Sequence, residues 1–164
     1  MVLTLDCNLF FSSPESHVFT PFRSKPVTPD QTSGFPMANL TVIQQGPIWA
    51  YCRQSTHCQS GMIFSVNPGA DLALFRANAI ASNSSSPSTV SSATTPVPTT
   101  SAVPSSTDHK VIVGGAGILA FSPTNITAQA GDTITFEFRQ KNHTVTSSTF
   151  DFPCQANNGF DSGL

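Results

Sequence analysis

The sequence predicts an all-β fold, and three observations carry that expectation. Residues 133–139, TITFEFR, set Ile134, Phe136 and Phe138 on one face and Thr133, Thr135, Glu137 and Arg139 on the other, the period-two pattern of a half-buried strand. Short apolar runs recur throughout both ends of the chain, separated by Gly, Pro, Ser and Asp at turn positions. Only residues 70–81, ADLALFRANAIA, bring apolar side chains near helical spacing, at Leu72, Phe75, Ala79 and Ile80.

In chain order, an irregular Ser/Pro/Phe-rich opening becomes orderly at residues 40–44 (LTVIQ), 48–52 (IWAYC) and 62–66 (MIFSV). Gly46-Pro47 and a polar loop at 53–61 separate these three expected strands, and the helix at 70–81, as short as one turn, follows them. Residues 82–107 then hold ten Ser, six Thr and four Pro in 26 positions with no charge and no aromatic ring. Too little apolar surface is present there to offset the entropy of ordering, so the stretch reads as a disordered linker with the composition of an O-glycosylated stalk. Beyond it, residues 111–113, 118–121 and 126–128 read as strands, with turns at Ser122-Pro123 and Ala130-Gly131-Asp132. The alternating strand at 133–139 and another expected strand in NHTVTSSTF complete the second arm.

Composition narrows the function. Of the 164 residues only 10% are charged, 7 basic and 9 acidic, for a net charge of −2. No basic patch exists to neutralise phosphates, which excludes a nucleic-acid binder. The longest apolar stretch, residues 111–121, is interrupted by three glycines and falls short of the about 20 apolar residues a membrane span needs. Four cysteines and four Asn-x-Ser/Thr sequons, at Asn39, Asn83, Asn125 and Asn142, fit an oxidising, glycosylating route and an extracellular or cell-surface setting. The opening MVLTLDCNLFF is not a convincing export signal, and FDSGL at the other end is not a lipid-anchor signal.

The densest chemical constellation is YCRQSTHCQSGM, in which Cys52, His57 and Met62 fall as Cys-x4-His-x4-Met between two expected strands. One Cys, two His and a weak axial Met make the type 1 blue-copper arrangement, whose soft sulfur favours Cu(I). The loop supplies one His; a second stands in the other arm at His143, directly after the alternating strand. Blander readings exist for each part: a Cys52–Cys58 disulfide with an incidental His and Met, or a surface His143 beside a glycosylated Asn142. Zinc held by ligands from among Cys7, Cys52, His57, Cys58 and Cys154 is weaker, because no Cys-x2-Cys pair is present.

His17 and His109 sit in polar sequence and are expected to be exposed without a role. Gly114, Gly115 and Gly117 do not complete a dinucleotide loop, since Ala120 stands where the last Gly would be, and they suit strand packing or a bulge. No GxSxG motif or paired carboxylate suggests catalysis, so no enzymatic activity is expected.

Two segments resemble a known family. GILAFSPTNITAQAGDTITFEFRQKNHTVTSSTFDFPC is similar to the first half of a phytocyanin-type cupredoxin, and PIWAYCRQSTHCQSGMIFSVNP to the second half. With the Ser/Thr-rich stretch, they resemble fungal extracellular serine-rich proteins carrying tandem cupredoxin domains. The order is reversed: the Cys-His-Met half precedes the His half. LDCNLFFSS and FPCQANNGFDSGL also look like one family segment occurring twice. The resemblance thus implies residues 1–81 as the C-terminal part of a first domain, 82–107 as the linker and 108–164 as the N-terminal part of a second.

Such halves imply a cupredoxin-like Greek-key β-sandwich assembled in circularly permuted order, or an incomplete fragment of a tandem protein. A flexible 26-residue linker reaches roughly 28 Å root-mean-square, which does not forbid the permuted assembly. The resemblance further implies copper held by His143, Cys52, His57 and Met62, and a disulfide from Cys58 to Cys154, with Cys7 as the alternative partner of Cys58. The expected function is one-electron transfer to an unidentified redox partner, or else a metal-free cell-surface scaffold. A domain-swapped dimer would bring the same halves together. Multicopper oxidase chemistry is not expected from a chain this short and without His-x-His pairs.

Overall fold

The computed structural model describes residues 18–20 (backbone only), 27–28, 30–82 and 107–163. Cys7, His17, Asn83 and residues 83–106 of the expected linker lie outside the described residues. The elements in chain order are β1 (Val18–Thr20), β2 (Met37–Thr41), β3 (Ile48–Tyr51), β4 (Ile63–Val66), α1 (Leu72–Ala81), β5 (Asp108–Gly115), β6 (Ile118–Ser122), β7 (Asn125–Ile126), β8 (Thr133–Phe138) and β9 (Thr146–Ser148). Among the described residues the fold is therefore mostly β, with one short helix.

Both arms contribute strands to both sheets. One sheet has the order β1-β2-β8-β5-β6, the other β7-β4-β3-β9. Antiparallel pairing joins β2 to β8 and β3 to β9, while β7 runs parallel to β4. Leu40, Val111, Val113, Ile134 and Phe136 of the first sheet meet Ala50, Phe64 and Val66 of the second in one core. Its centre is aromatic: the Phe64 ring lies 5.2 Å from Phe136 and 5.6 Å from Phe121.

The alternation in β8 holds for the core face, where Ile134 and Phe136 are fully buried. Glu137, expected on the open face, is also buried, because Lys110 of the parallel neighbour β5 and Arg139 fold over it in ion pairs. In contrast, β3 and β4 are buried on both faces. Helix α1 covers their outer side, packing Phe75 and Ala79 against Trp49, Tyr51 and Ile63. The helix runs for ten residues, longer than a single turn. Boundaries move elsewhere: β2 begins three residues earlier than the apolar run, at Met37, where it finds Glu137 as a partner. Strand β1 arises inside the stretch that reads as irregular.

At the end of β5 where the chain enters the second arm, Asp132 gathers three donors: the backbone N–H groups of Thr107 and Gln129, each at 2.8 Å, and His109 Nε2 at 3.0 Å. His109 is thus a hydrogen-bond partner of Asp132, correcting the expectation of an exposed side chain without a role. These bonds, led by that from Gln129, hold the Asp132 carboxyl below its ordinary value, and the hydrogen bond from Lys110 does the same for Glu137. Because folding lowers both values, the unfolded chain takes up the protons first. Their stabilisation is therefore complete above about pH 4–4.5, the ordinary carboxylate range, and is lost as pH falls through the lower folded values. Urea midpoints measured from pH 6 to pH 2 should fall across that acid window, and Asp132→Asn should flatten the fall.

Candidate metal centre

The centre lies where β3 ends and β8 leads out. Continuing the inward side of β3 set by Ile48 and Ala50, Cys52 is fully buried in the main core. Its backbone N–H donates to Met62 O at 3.1 Å, closing the base of the loop between β3 and β4. Within the loop, His57 N–H donates to Gln54 O and Met62 N–H donates to His57 O, at 3.0 and 2.9 Å. These turns fold His57 back over the thiol, with Nδ1 3.4 Å from Cys52 Sγ. Met62 is fully buried in the same core as Cys52.

The second imidazole arrives from the other arm. After β8, Lys141 takes a φ of 74°, and His143 enters the interior with Nδ1 3.7 Å from Cys52 Sγ. The two rings lie 5.1 Å apart. The next residue, Thr144, donates its backbone N–H to Cys52 Sγ at 3.4 Å. Behind the His143 ring stands Gly114, at a φ of 72°, where a Cβ would come within 2.1 Å of His143 Nε2. The expected bulge is found here, as the β5–β6 register shifts between Val113 and Gly115. Its use is to let a ring approach the backbone, which a run of glycines in a strand can signal.

Burial sets the electrostatics. It pushes the Cys52 thiol up, against the pull of hydrogen bonds from Thr144 and Gln54. It pushes His57 down, with the Lys141 charge adding to the effect. His143 is lowered to about 4, first by burial and then by its neighbour His57. Two neutral imidazoles therefore face a thiol whose ionised form lacks a compensating positive charge, which a cation supplies on displacing the proton.

The donor spacing tests the fit. Bonds of about 2.3 Å to sulfur and 2.05 Å to nitrogen, at angles between tetrahedral and trigonal, place S and N roughly 3.6–3.8 Å apart. The observed 3.7 Å falls inside that range and 3.4 Å just below it, and all three donor atoms lie within 4.8 Å of one another. Cys52, His57 and His143 could hold a metal ion.

No protein-family model, curated protein or solved structure matches this chain. What the centre can do rests on its own geometry.

Cys58, the residue after His57, is disulfide-bonded to Cys154, tying the loop to the second arm across 96 positions. Cys52 is a free, buried cysteine, so the Cys52–Cys58 alternative does not occur. Met62 and Phe64 lie in the core with Cys52. Trp49 and Tyr51 point to the opposite side and pack under α1, with Trp49 4.6 Å from Phe75. Sequons Asn39, Asn125 and Asn142 are exposed. Thr144, and the Arg53–Asp161 ion pair at 2.9 Å beside it, escape sequence reasoning because no local pattern links residues so far apart.

Proposed function

We propose that this chain is a copper-binding, cupredoxin-like protein with a type 1 site, passing single electrons without catalysing a reaction of its own. Cys52, His57 and His143 would be the strong ligands, and Met62, buried in the same core, would supply a weak thioether contact. The observation that carries this reading is the approach of both Nδ1 atoms to one buried sulfur, one from the same loop and one from a residue 91 positions away. A thiolate, two imidazoles and a thioether suit both copper oxidation states, and bound copper supplies the one-electron chemistry. The chain's residues orient and enclose it: buried His143 and Met62 keep water out, and half-buried His57 is the ligand nearest solvent. The sharing of both sheets by the two arms supports a cupredoxin in permuted order, and the disulfide supports an extracellular or cell-surface setting.

Anaerobic Cu(II) titration followed by visible absorption and EPR tests the reading. One copper per chain, an intense blue band and narrow hyperfine splitting are expected, all lost in Cys52→Ser and in His143→Ala. At a hundredfold excess over the dissociation constant, copper should raise stability by about 2.7 kcal/mol. A colourless protein whose melting temperature ignores Cu(II) would overturn the proposal and leave a metal-free scaffold.

A further inference from the structure

We infer that Asp161 is a positioning residue for the metal centre, acting on the Cys52 sulfur through a one-way hydrogen-bond relay of Thr146 and Thr144. The inference rests on the copper reading above and adds to it a residue outside the ligand set.

The relay follows from counting protons. Thr146 Oγ1 lies 3.2 Å from Asp161 Oδ1 and 3.1 Å from Thr144 Oγ1. A carboxylate only accepts, and a hydroxyl carries one proton. Thr146 therefore spends its proton on Asp161, and the Thr144 hydroxyl must donate to Thr146. The Thr144 oxygen in turn accepts the backbone N–H of Arg53 at 2.8 Å. The direction is fixed throughout: Arg53 N–H to Thr144, Thr144 to Thr146, Thr146 to Asp161. Thr144 and Thr146 are buried, so losing a partner leaves a hydroxyl group unpaired away from bulk solvent, which is costly.

The Arg53 and Thr144 part of the relay lies beside the sulfur. Arg53 follows Cys52 in the chain, and the Thr144 backbone N–H donates to Cys52 Sγ at 3.4 Å. Anchoring the Thr144 hydroxyl thus fixes where its amide meets the thiolate. Asp161 is itself held in place. Its Oδ1 also accepts Gly163 N–H at 2.9 Å, its Oδ2 pairs with Arg53 Nη1 at 2.9 Å, and its backbone bridges to Thr146. The adjoining bonds Ser162 N–H to Val145 O and Val145 N–H to Ser162 Oγ, at 3.0 and 2.9 Å, lay this segment along the strand that leaves His143.

Three variants of the full chain separate the relay from the surface ion pair. Thr146→Val removes the relay at constant shape. Asp161→Asn makes the amide NH2 face Thr146 if its oxygen stays on Arg53, reversing the direction. Arg53→Gln removes the ion pair but keeps the backbone donor. In the metal-free protein, exchange of the Thr144 amide should quicken about tenfold in Thr146→Val and Asp161→Asn, the worth of one hydrogen bond, and less than threefold in Arg53→Gln. In the copper-loaded protein the first two should shift the Cu(I):Cu(II) balance about tenfold toward Cu(II), a potential lower by about 59 mV. The sign follows because an N–H donor to sulfur favours the more electron-rich, reduced state. Thr146→Ser, which restores the hydroxyl, should restore wild-type values. A silent Thr146→Val, or an Arg53→Gln effect equal to that of Asp161→Asn, would overturn the relay. Should the wild type take up no copper, the copper reading falls, while the amide exchange rates still judge the relay.

Discussion

Gly114→Ala should cost the proposed copper site about 100-fold in affinity, the upper end for residues that orient a metal ligand. The added Cβ would lie 2.1 Å from His143 Nε2 and 2.2 Å from Cδ2, so the ring must move by more than about 1 Å to regain van der Waals contact. His143 is buried, and a ring displaced that far takes Nδ1 out of reach of Cys52 Sγ. Stability should fall as well, by about 1–2 kcal/mol for a side chain in a left-handed conformation and about 1–3 kcal/mol for overpacking. Gly117→Ala is the control. Gly117 shares the positive φ, at 73° against 72°, but has nothing within 4 Å of the added carbon. It should show the backbone cost alone and bind copper as the wild type does. Equal affinities for the two variants, read by competition with a chelator, would mean that the His143 ring does not depend on this bare stretch of backbone.

Opening the Cys58–Cys154 disulfide by Cys154→Ser should lower stability by about 2–5 kcal/mol, toward the upper end because the bridge spans 96 positions. On thermal melting this is a fall of about 10–20 °C. The bridge also joins the loop carrying His57 to the arm carrying His143, and the arms share both sheets. Its loss lets the unfolded arms separate over the whole intervening chain, the entropy the crosslink removes. Urea midpoints with and without reductant, compared with the Ser variant, check the size. A change below 1 kcal/mol would mean that strand pairing between the arms fixes their encounter without the covalent link.

The legibility of this fold differs between its elements for physical reasons. Strand β8 shows itself because one of its faces is core and the other partly polar, so residue type alternates with the pleat. In β3 and β4 that contrast vanishes: IWAY and IFSV are buried on both faces, one by the sandwich core and the other by α1. They read as strands through their apolarity and flanking turns alone. Strand β1 has no pattern of its own and forms by pairing its backbone with β2. His109 looked idle because its partner, Asp132, lies 23 positions away and meets it through the parallel pairing of β5 and β8.

The sequence by itself determined the donors and much of the scaffold. Cys52, His57 and Met62 share one loop, and the alternating strand leads directly to His143, because ligand chemistry and strand pleat are written in residue types and short spacings. Only the tertiary structure decided that these parts meet. The convergence of His143 Nδ1 on Cys52 Sγ depends on β2 pairing with β8, β3 with β9 and Gly114 yielding space behind the ring. So does the relay from Asp161. Contacts between residues nearly a hundred positions apart are fixed by the register between strands and by packing in a shared core, and neither leaves a local trace in the order of the amino acids.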